Sequence, residues 1–399
     1  MEGRVRGRYV ERTWAHDPTL YAPPRYRRAC SYRAFVPDPL IDLDLVLAGE
    51  TAGIVSEAEA AIASLNSGAQ PLMAPLARLL LRSESIASSK IEGMQVDARS
   101  LARAEVAQDT GRSIGSEAAD ILSNIDAMQF AIERTTVADR IAPDDLGAIH
   151  GVLMARAPDA ATAGRFRTSQ NWIGGNDYNP CGADFVPPPW EELALLLHDL
   201  CRFCDDDALP PIVHAAIAHA QFETIHPFRD GNGRTGRALI HVILRRRGLA
   251  PAFVPPISVV LARDKERYIR GLTDFREDRL DAWIEIFAAA AAQAGQLAER
   301  YATRMAELQE SWRERLRTHS SPRADAAAWV VIDTLPAHPV ITVPVGVAAT
   351  GRTKPAITNA VDELVGAGVL VPLGESRRNR AWEADGLLDL IAGLESGTG

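Results

Sequence analysis

The sequence predicts a mainly α protein: a helical bundle carrying a β-hairpin, followed by a C-terminal winged helix-turn-helix domain. Three observations carry that expectation. Apolar residues recur at helical spacing through most of the chain as far as Leu316. Thr162 to Pro189 breaks the period with glycines, a triple proline and short apolar runs. Arg323 to Leu394 reads as helix, short helix, turn, helix and strand pair, the order of a winged helix. At 399 residues the chain exceeds one ordinary compact unit, and 47% apolar with 24% charged residues is an ordinary globular balance. A net charge of -9 argues against nonspecific binding of nucleic acid or anionic membrane by the chain as a whole.

Met1 to Pro18 has scattered charges and no apolar core of signal-peptide length. No apolar run approaches the roughly 20 residues needed to span a bilayer. A cytoplasmic protein with no membrane partner is expected. Four cysteines, Cys30, Cys181, Cys201 and Cys204, are too few for a disulfide scaffold, and Cys201 and Cys204 read as a buried helix face. Thr19 to Asp44, rich in Pro, Tyr and Arg, reads as an extended arm. Helices follow at Ile54 to Leu65, from Leu72 to a stop at Gly93, at Ser116 to Thr135 and at Asp144 to Arg156. Beyond the hairpin region, helices are expected at Glu191 to Cys204, Pro211 to Ile225, Arg234 to Arg247, Tyr268 to Arg276 and Leu280 to Leu316. In the tail they are expected at Val343 to Thr350 and Lys354 to Gly366, with strands between Val369 and Trp382.

The stretch with the most chemistry runs from His226 to Arg237, His-Pro-Phe-Arg-Asp-Gly-Asn-Gly-Arg-Thr-Gly-Arg. A residue before proline is pushed out of the helical region, so the preceding helix should end at His226 and leave its imidazole at the lip of the loop. Gly231 and Gly233 let backbone amides converge into an anion nest, and the following helix adds its positive end. Arg234 and Arg237, three apart, share one face of the first turn and can grip neighbouring phosphates. Asp230 is a hard oxygen ligand suited to Mg2+. His226 can act as general base near neutral pH. A base, a metal carboxylate and a phosphate clamp point to nucleotidyl or phosphoryl transfer. A Walker A loop is absent, because no Lys-Ser/Thr pair follows the last glycine.

These twelve residues resemble the signature of the Fic family, His-Pro-Phe-x-Asp/Glu-Gly-Asn-Gly-Arg-x-x-Arg, at every specified position. Ala215 to Ile225 and the Ile149-His150-Gly151 helix are similar to the family as well. The resemblance implies a protein adenylyltransferase that moves AMP from ATP to a Ser, Thr or Tyr hydroxyl of a protein target. It assigns proton removal to His226 and Mg2+ to Asp230. Phosphate and nucleotide contacts fall to Gly231, Asn232, Gly233, Arg234, Thr235, Gly236 and Arg237. A related branch that phosphorylates carries Lys where this chain has Gly233. Phe228 reads as a buried anchor. Tyr268 lies where relatives place a residue near the nucleotide base, and a core tyrosine is the other reading of it.

Ser88 to Gly93, Ser-Ser-Lys-Ile-Glu-Gly, by pattern alone is a helix with a glycine cap. It also resembles the family's inhibitory Ser/Thr-x-x-x-Glu-Gly/Asn element, which implies that Glu92 pairs with Arg237 and takes the space of the γ-phosphate. Thr168 to Val186, with Trp172, Ile173 and Gly174, resembles the flap to which targets add as a strand; a covering hairpin is the alternative. In the tail, Lys354 to Gly366 would be a recognition helix and Ser376 to Arg380 a wing. From Pro322 onward, however, six basic residues face nine acidic ones, which suits a protein-interaction or homodimer role at least as well as DNA. The expected organisation is 1–110 for the arm and the inhibitory helices, 111–295 for the catalytic domain, 296–320 for a connecting helix and 321–399 for the winged helix. Two competing functions are a nucleotide-sensing transcription regulator and removal of AMP by the same site.

Overall fold

The computed structural model describes residues 7–41, 43–68, 73–109, 111–374 and 380–396. Strands β1 (Gly7–Trp14) and β2 (Cys30–Pro37) come first, then helices α1 (Gly49–Gly68), α2 (Met73–Ile91), α3 (Ala98–Asp109) and α4 (Ser116–Phe130). Next are α5 (Pro143–Leu153), α6 (Leu193–Cys204), α7 (Pro211–Ile225), α8 (Asn232–Arg246), α9 (Ile257–Leu261), α10 (Lys265–Arg276) and α11 (Leu280–His319). The tail holds α12 (Ala327–Thr334), β3 (Val340–Thr342), α13 (Val343–Thr350), α14 (Lys354–Gly366), β4 (Leu370–Pro372), β5 (Ala381–Ala384) and α15 (Leu387–Ser396). The mainly helical expectation holds. Three helices, α3, α9 and α15, have no counterpart in the sequence reading.

By packing, the chain sorts into two compact units. The first gathers Met1–Ala58, Phe130–Arg247 and Asp264–Ala289. Its axis is α7, buried along nearly its whole length with apolar residues on every side and polar ones such as His214, His219 and Gln221 enclosed among them. Pro211 opens it at the first turn, where no N–H is needed. Helices α6, α8 and α10 pack on it, and the Trp283 indole N–H donates to the Ala216 carbonyl at 2.9 Å. The buried His214 accepts from Arg247 at 3.0 Å and meets the Phe203 carbonyl at 2.8 Å; desolvation lowers its pKa to about 4.

The expected arm is instead a ribbon. β1 and β2 pair antiparallel in full register, from Gly7 opposite Pro37 to Trp14 opposite Cys30. The inner end of β2 buries Ala34, Phe35 and Val36. A second correction concerns the cysteines: Cys30 and Cys181 are joined by a disulfide, whereas Cys201 and Cys204 are buried in α6. Burial pushes the Cys201 thiol up to about 12 and that of Cys204 well above its ordinary value.

The second unit comprises Glu59–Gln129, Gly248–Arg263 and Ala290–Gly399. Helix α2 buries an unusual polar stripe, Ser83, Glu84, Ser85, Ser88 and Ser89. Glu84 accepts from the Ser258 backbone N–H at 2.7 Å and from its hydroxyl at 2.5 Å, capping α9. Asn124 of α4 donates to Ser85 O at 2.7 Å and to Ser89 Oγ at 3.1 Å. Ile86, Leu101, Ala104, Ala118, Ile121 and Leu122 close an apolar cluster over α2, α3 and α4. In the tail, β3 and β4 both pair antiparallel with β5. Arg99 of α3 pairs with Glu383 at 3.2 Å and with Asp389 at 3.1 Å. Of the expected wing, Ser376 to Arg380, residues 376–379 lie outside the described residues, and the Arg380 guanidinium sits 4.9 Å from the centre of the Trp382 ring. No described helix is long and apolar enough to cross a membrane.

Candidate active site

Helix α7 ends where Pro227 forbids its continuation, and His226 takes a left-handed conformation with φ 50° and ψ 59°. That places a half-buried imidazole at the lip of the loop, as the sequence predicts. His226 Nδ1 lies 3.3 Å from the Glu223 carbonyl and 3.9 Å from its carboxylate. Donation from Nδ1 to that carbonyl assigns the tautomer in which Nε2 is the basic nitrogen.

Gly231 caps α8 with φ 74°, a conformation a side chain would strain. Asn232 does something the sequence does not reveal. Its Oδ1 accepts from the Phe228 N–H at 2.8 Å and its Nδ2 donates to the Phe228 carbonyl at 2.9 Å, so the amide staples the loop shut across its base. With 2% exposure, Asn232 can offer an anion only its backbone N–H. Phe228 is the buried anchor expected.

Arg234 and Arg237 are buried at 4% and 1% exposure. Arg234 Nε is buried with no hydrogen-bond partner among the described residues, and its guanidinium reaches Asp230 at only 3.9 Å. A buried unsatisfied donor costs about 1–3 kcal/mol unless something fills the place. Asp230 itself stands out in solvent, its side chain 75% exposed, with Oδ1 accepting from Gly231 N–H at 2.7 Å. One exposed carboxylate at the start of a helix fits Mg2+, which usually takes one or two carboxylates and keeps several waters.

Gly236 is packed where α8 meets α7, and Thr235 Oγ1 is buried without a hydrogen-bond partner among the described residues. Thr235 is 1% exposed, and a Cβ on Gly236 would sit 2.8 Å from Glu223 Oε1 and 2.8 Å from the Phe222 ring. Glycine here lets α7 and α8 approach. Tyr268 is a core tyrosine: 3% exposed, with its hydroxyl 2.7 Å from His219 Nε2 and its ring near His219 and Trp283.

Three residues that the sequence reading left without a role hold this loop. His150 Nδ1 accepts from Gly164 N–H at 3.0 Å and its Nε2 faces the Asp230 carbonyl at 3.0 Å, while its ring stacks on Phe228 at 3.8 Å. Desolvation lowers its pKa to about 4, so it is neutral and Nε2 donates. Arg167 and Asn171 reach the same loop from the hairpin side. Arg167 Nε donates to His226 O at 2.9 Å, and Asn171 Nδ2 donates to Phe228 O at 2.9 Å.

The hairpin is a single pair, Ile173 opposite Phe185, with Ile173 N–H donating to Phe185 O at 2.8 Å. Trp172 packs edge-on to Trp14 at 5.7 Å, Ile173 is 39% exposed and Gly174 starts the turn. In the second unit, Ser88 is fully buried, Glu92 is exposed one residue past the end of α2, and Gly93 follows with φ 92°.

Residues 140–244, which hold the whole loop, match the Fic/DOC family, and residues 54–133 match the Fic/DOC family N-terminal region. Over these two stretches the chain is similar to Fic/DOC proteins. Over 198 residues it is 30% identical to the protein adenylyltransferase Fic of Drosophila erecta, covering 47% of this chain and 38% of that protein. Over 117 residues it is 36% identical to the protein adenylyltransferase fic-1 of Caenorhabditis elegans, covering 29% of this chain and 22% of that one. The chain thus spans well under half the length of these curated relatives. Among solved structures, a Fic family protein from Desulfovibrio desulfuricans G20 superposes with a TM-score of 0.52 at 21% identity, over 86% of this chain and 97% of that one. The C. elegans Fic-1 fragment aa134–508 gives 0.50 at 23%, over 65% and 73%. These share the mainly helical Fic fold.

Proposed function

We propose that this Fic chain is a protein adenylyltransferase that moves AMP from ATP to a Ser, Thr or Tyr hydroxyl of a protein and is restrained by Glu92. The observation that carries the reading is the buried Arg234, with an unpartnered Nε, beside a glycine-capped helix start and one imidazole at the loop's lip. Its relatives at about 30% identity are named adenylyltransferases.

In this reading the backbone N–H groups at the start of α8 hold phosphate oxygens, and Arg234 and Arg237 steady the β- and γ-phosphates. Nε2 of His226 takes the proton of the target hydroxyl as its oxygen bonds to the α-phosphorus. The bond from that phosphorus to the bridging oxygen breaks, and diphosphate leaves with the electron pair. Asp230 would hold Mg2+, which when bound neutralises phosphate charge. The pair Ile173 and Phe185 would dock the target segment by backbone pairing.

Glu92 as a brake is supported by the resemblance of Ser88 to Gly93 to the family's inhibitory element, and the residue lies exposed one position past the end of α2. The tail, α12 to β5, follows the order of a winged helix-turn-helix and serves in this reading as a partner or dimer surface.

The test is transfer of label from α-labelled ATP in a magnesium buffer. Glu92→Gly should raise incorporation at least tenfold, and His226→Ala in that background should abolish it. An unchanged rate in Glu92→Gly removes the brake. Salt-dependent DNA binding with neither transfer nor removal of AMP selects the sensor reading instead. Release of AMP from a labelled protein, lost in His226→Ala, selects the reverse reaction.

A further inference from the structure

We infer that Arg167 is a positioning residue that couples the flap to His226, so that target docking is transmitted to the reacting imidazole. The inference rests on the adenylyl-transfer reading above.

Arg167 is 6% exposed, and burial lowers its pKa only to about 10, so it stays charged at neutral pH. Its fork is fully engaged with backbone oxygens. Nε donates to His226 O at 2.9 Å, Nη2 to Ile225 O at 3.3 Å and to Pro188 O at 2.6 Å, and Nη1 to Ser169 O at 3.1 Å. The Arg167 backbone N–H adds a bond to Pro227 O at 2.9 Å. Asn171 supports the same link, with Nδ2 donating to His226 O at 3.2 Å and to Phe228 O at 2.9 Å.

Two sets of acceptors therefore meet one rigid plane. Ile225 and His226 supply the last carbonyls of α7, the negative end of the helix, which a guanidinium satisfies by charge and by hydrogen bonds. Ser169 and Pro188 belong to the two stems of the flap, flanking the paired Ile173 and Phe185. A left-handed conformation for a residue that is not glycine costs about 1–3 kcal/mol and persists only where the surroundings fix it. At His226 the N–H donates to Phe222 O at 2.9 Å, and the carbonyl is held by Arg167 and Asn171. A strand added to the flap shifts its stems, and the stems are tied through this plane to the histidine's own carbonyl. Phosphate binding at the start of α8 involves neither residue.

Arg167→Lys keeps the charge but replaces a planar fork with one point donor. Asn171→Ala removes a half-buried amide and leaves Arg167 intact. Both are made in the Glu92→Gly background. Three quantities are measured: the first-order rate of AMP incorporation into the chain's own hydroxyls at saturating magnesium-ATP, the magnesium-ATP Kd by calorimetry, and hydrogen exchange along the chain. The expected result is a rate at least tenfold lower for Arg167→Lys and at least threefold lower for Asn171→Ala. The Kd should stay within twofold, and exchange should rise together in segments 168–174 and 224–229. Rates equal to the parent's overturn the inference, as does a Kd that worsens in step with the rate, which marks a merely structural arginine. Faster exchange in only one of the two segments also overturns it. If Arg167→Lys does not fold, Asn171→Ala decides by the same criteria. A parent that shows no transfer sinks the adenylyl-transfer reading, while the exchange result still decides the coupling.

Discussion

Arg167 and Arg234 are both buried arginines touching one loop, and they differ in what their donors meet. Arg167 faces four carbonyls, so each arm of its guanidinium has a protein partner. Arg234 keeps a buried Nε with no partner among the described residues. The first pattern is that of a structural clamp. The second is that of a group held in wait for an anion, since a buried donor without an acceptor is otherwise a net cost. Burial alone therefore says little about an arginine's role; the census of its acceptors separates the two.

The contrast is broken most easily by truncation. Arg167→Ala strands several buried carbonyls and should lower the unfolding free energy by about 3 kcal/mol or more, read by urea denaturation. Arg234→Ala should change stability by less than about 1 kcal/mol yet weaken magnesium-ATP binding about tenfold to a hundredfold, the range for hydrogen bonds to charged groups. If Arg234→Ala instead unfolds the protein with ATP affinity intact, the two arginines are alike and the comparison fails. Gly236→Ala sharpens it from the packing side. A methyl 2.8 Å from Glu223 and Phe222 must push α7 from α8, at about 1–3 kcal/mol, visible as a lower Tm.

The smallest effect is one of pH. His150 and His214 have folded pKa values of about 4 against an ordinary value near 6.5. Between those values the unfolded chain binds the protons and the folded one does not. Stability is thus complete above pH 6.5 and lost as pH falls toward 4, by at most about 1.4 kcal/mol per pH unit for each group. His150→Gln, which retains a donor for the Asp230 carbonyl, should flatten that loss by about half between pH 6.5 and 4.5. An unchanged slope would show that His150 is protonated in the fold.

The loop from His226 to Arg237 was readable because its parts are consecutive: a proline that stops a helix, two glycines and a helix start act over a few residues. What braces it was not. His150 and Asp230 are eighty residues apart, and Arg167 and His226 fifty-nine, so only the fold joins them. In the sequence Arg167 is one arginine in a segment of turns. The ribbon of β1 and β2 escaped for a different reason. A long connection, not a two-residue turn, joins its strands, and most of β1 is exposed, so neither a turn signal nor apolar alternation marks it. Helix α3 buries Ala98, Ala102 and Ala104 beside Leu101, a face too small in side-chain area to stand out as a hydrophobic stripe. Asn232 and Tyr268 show the converse. Each belongs to a recognisable pattern or position, yet the Asn232 side chain bonds the loop's own backbone and the Tyr268 hydroxyl meets His219 in the core.

The bond between Cys30 and Cys181 ties the ribbon to the far turn of the flap across 151 positions of chain. Such a bond survives where thiols are oxidised and opens where glutathione keeps them reduced. Neither sulfur's residue is fully enclosed, so small thiol reagents have a route to it. Material handled with and without dithiothreitol is therefore two different molecules at the hairpin, and measurements made on one do not carry over to the other.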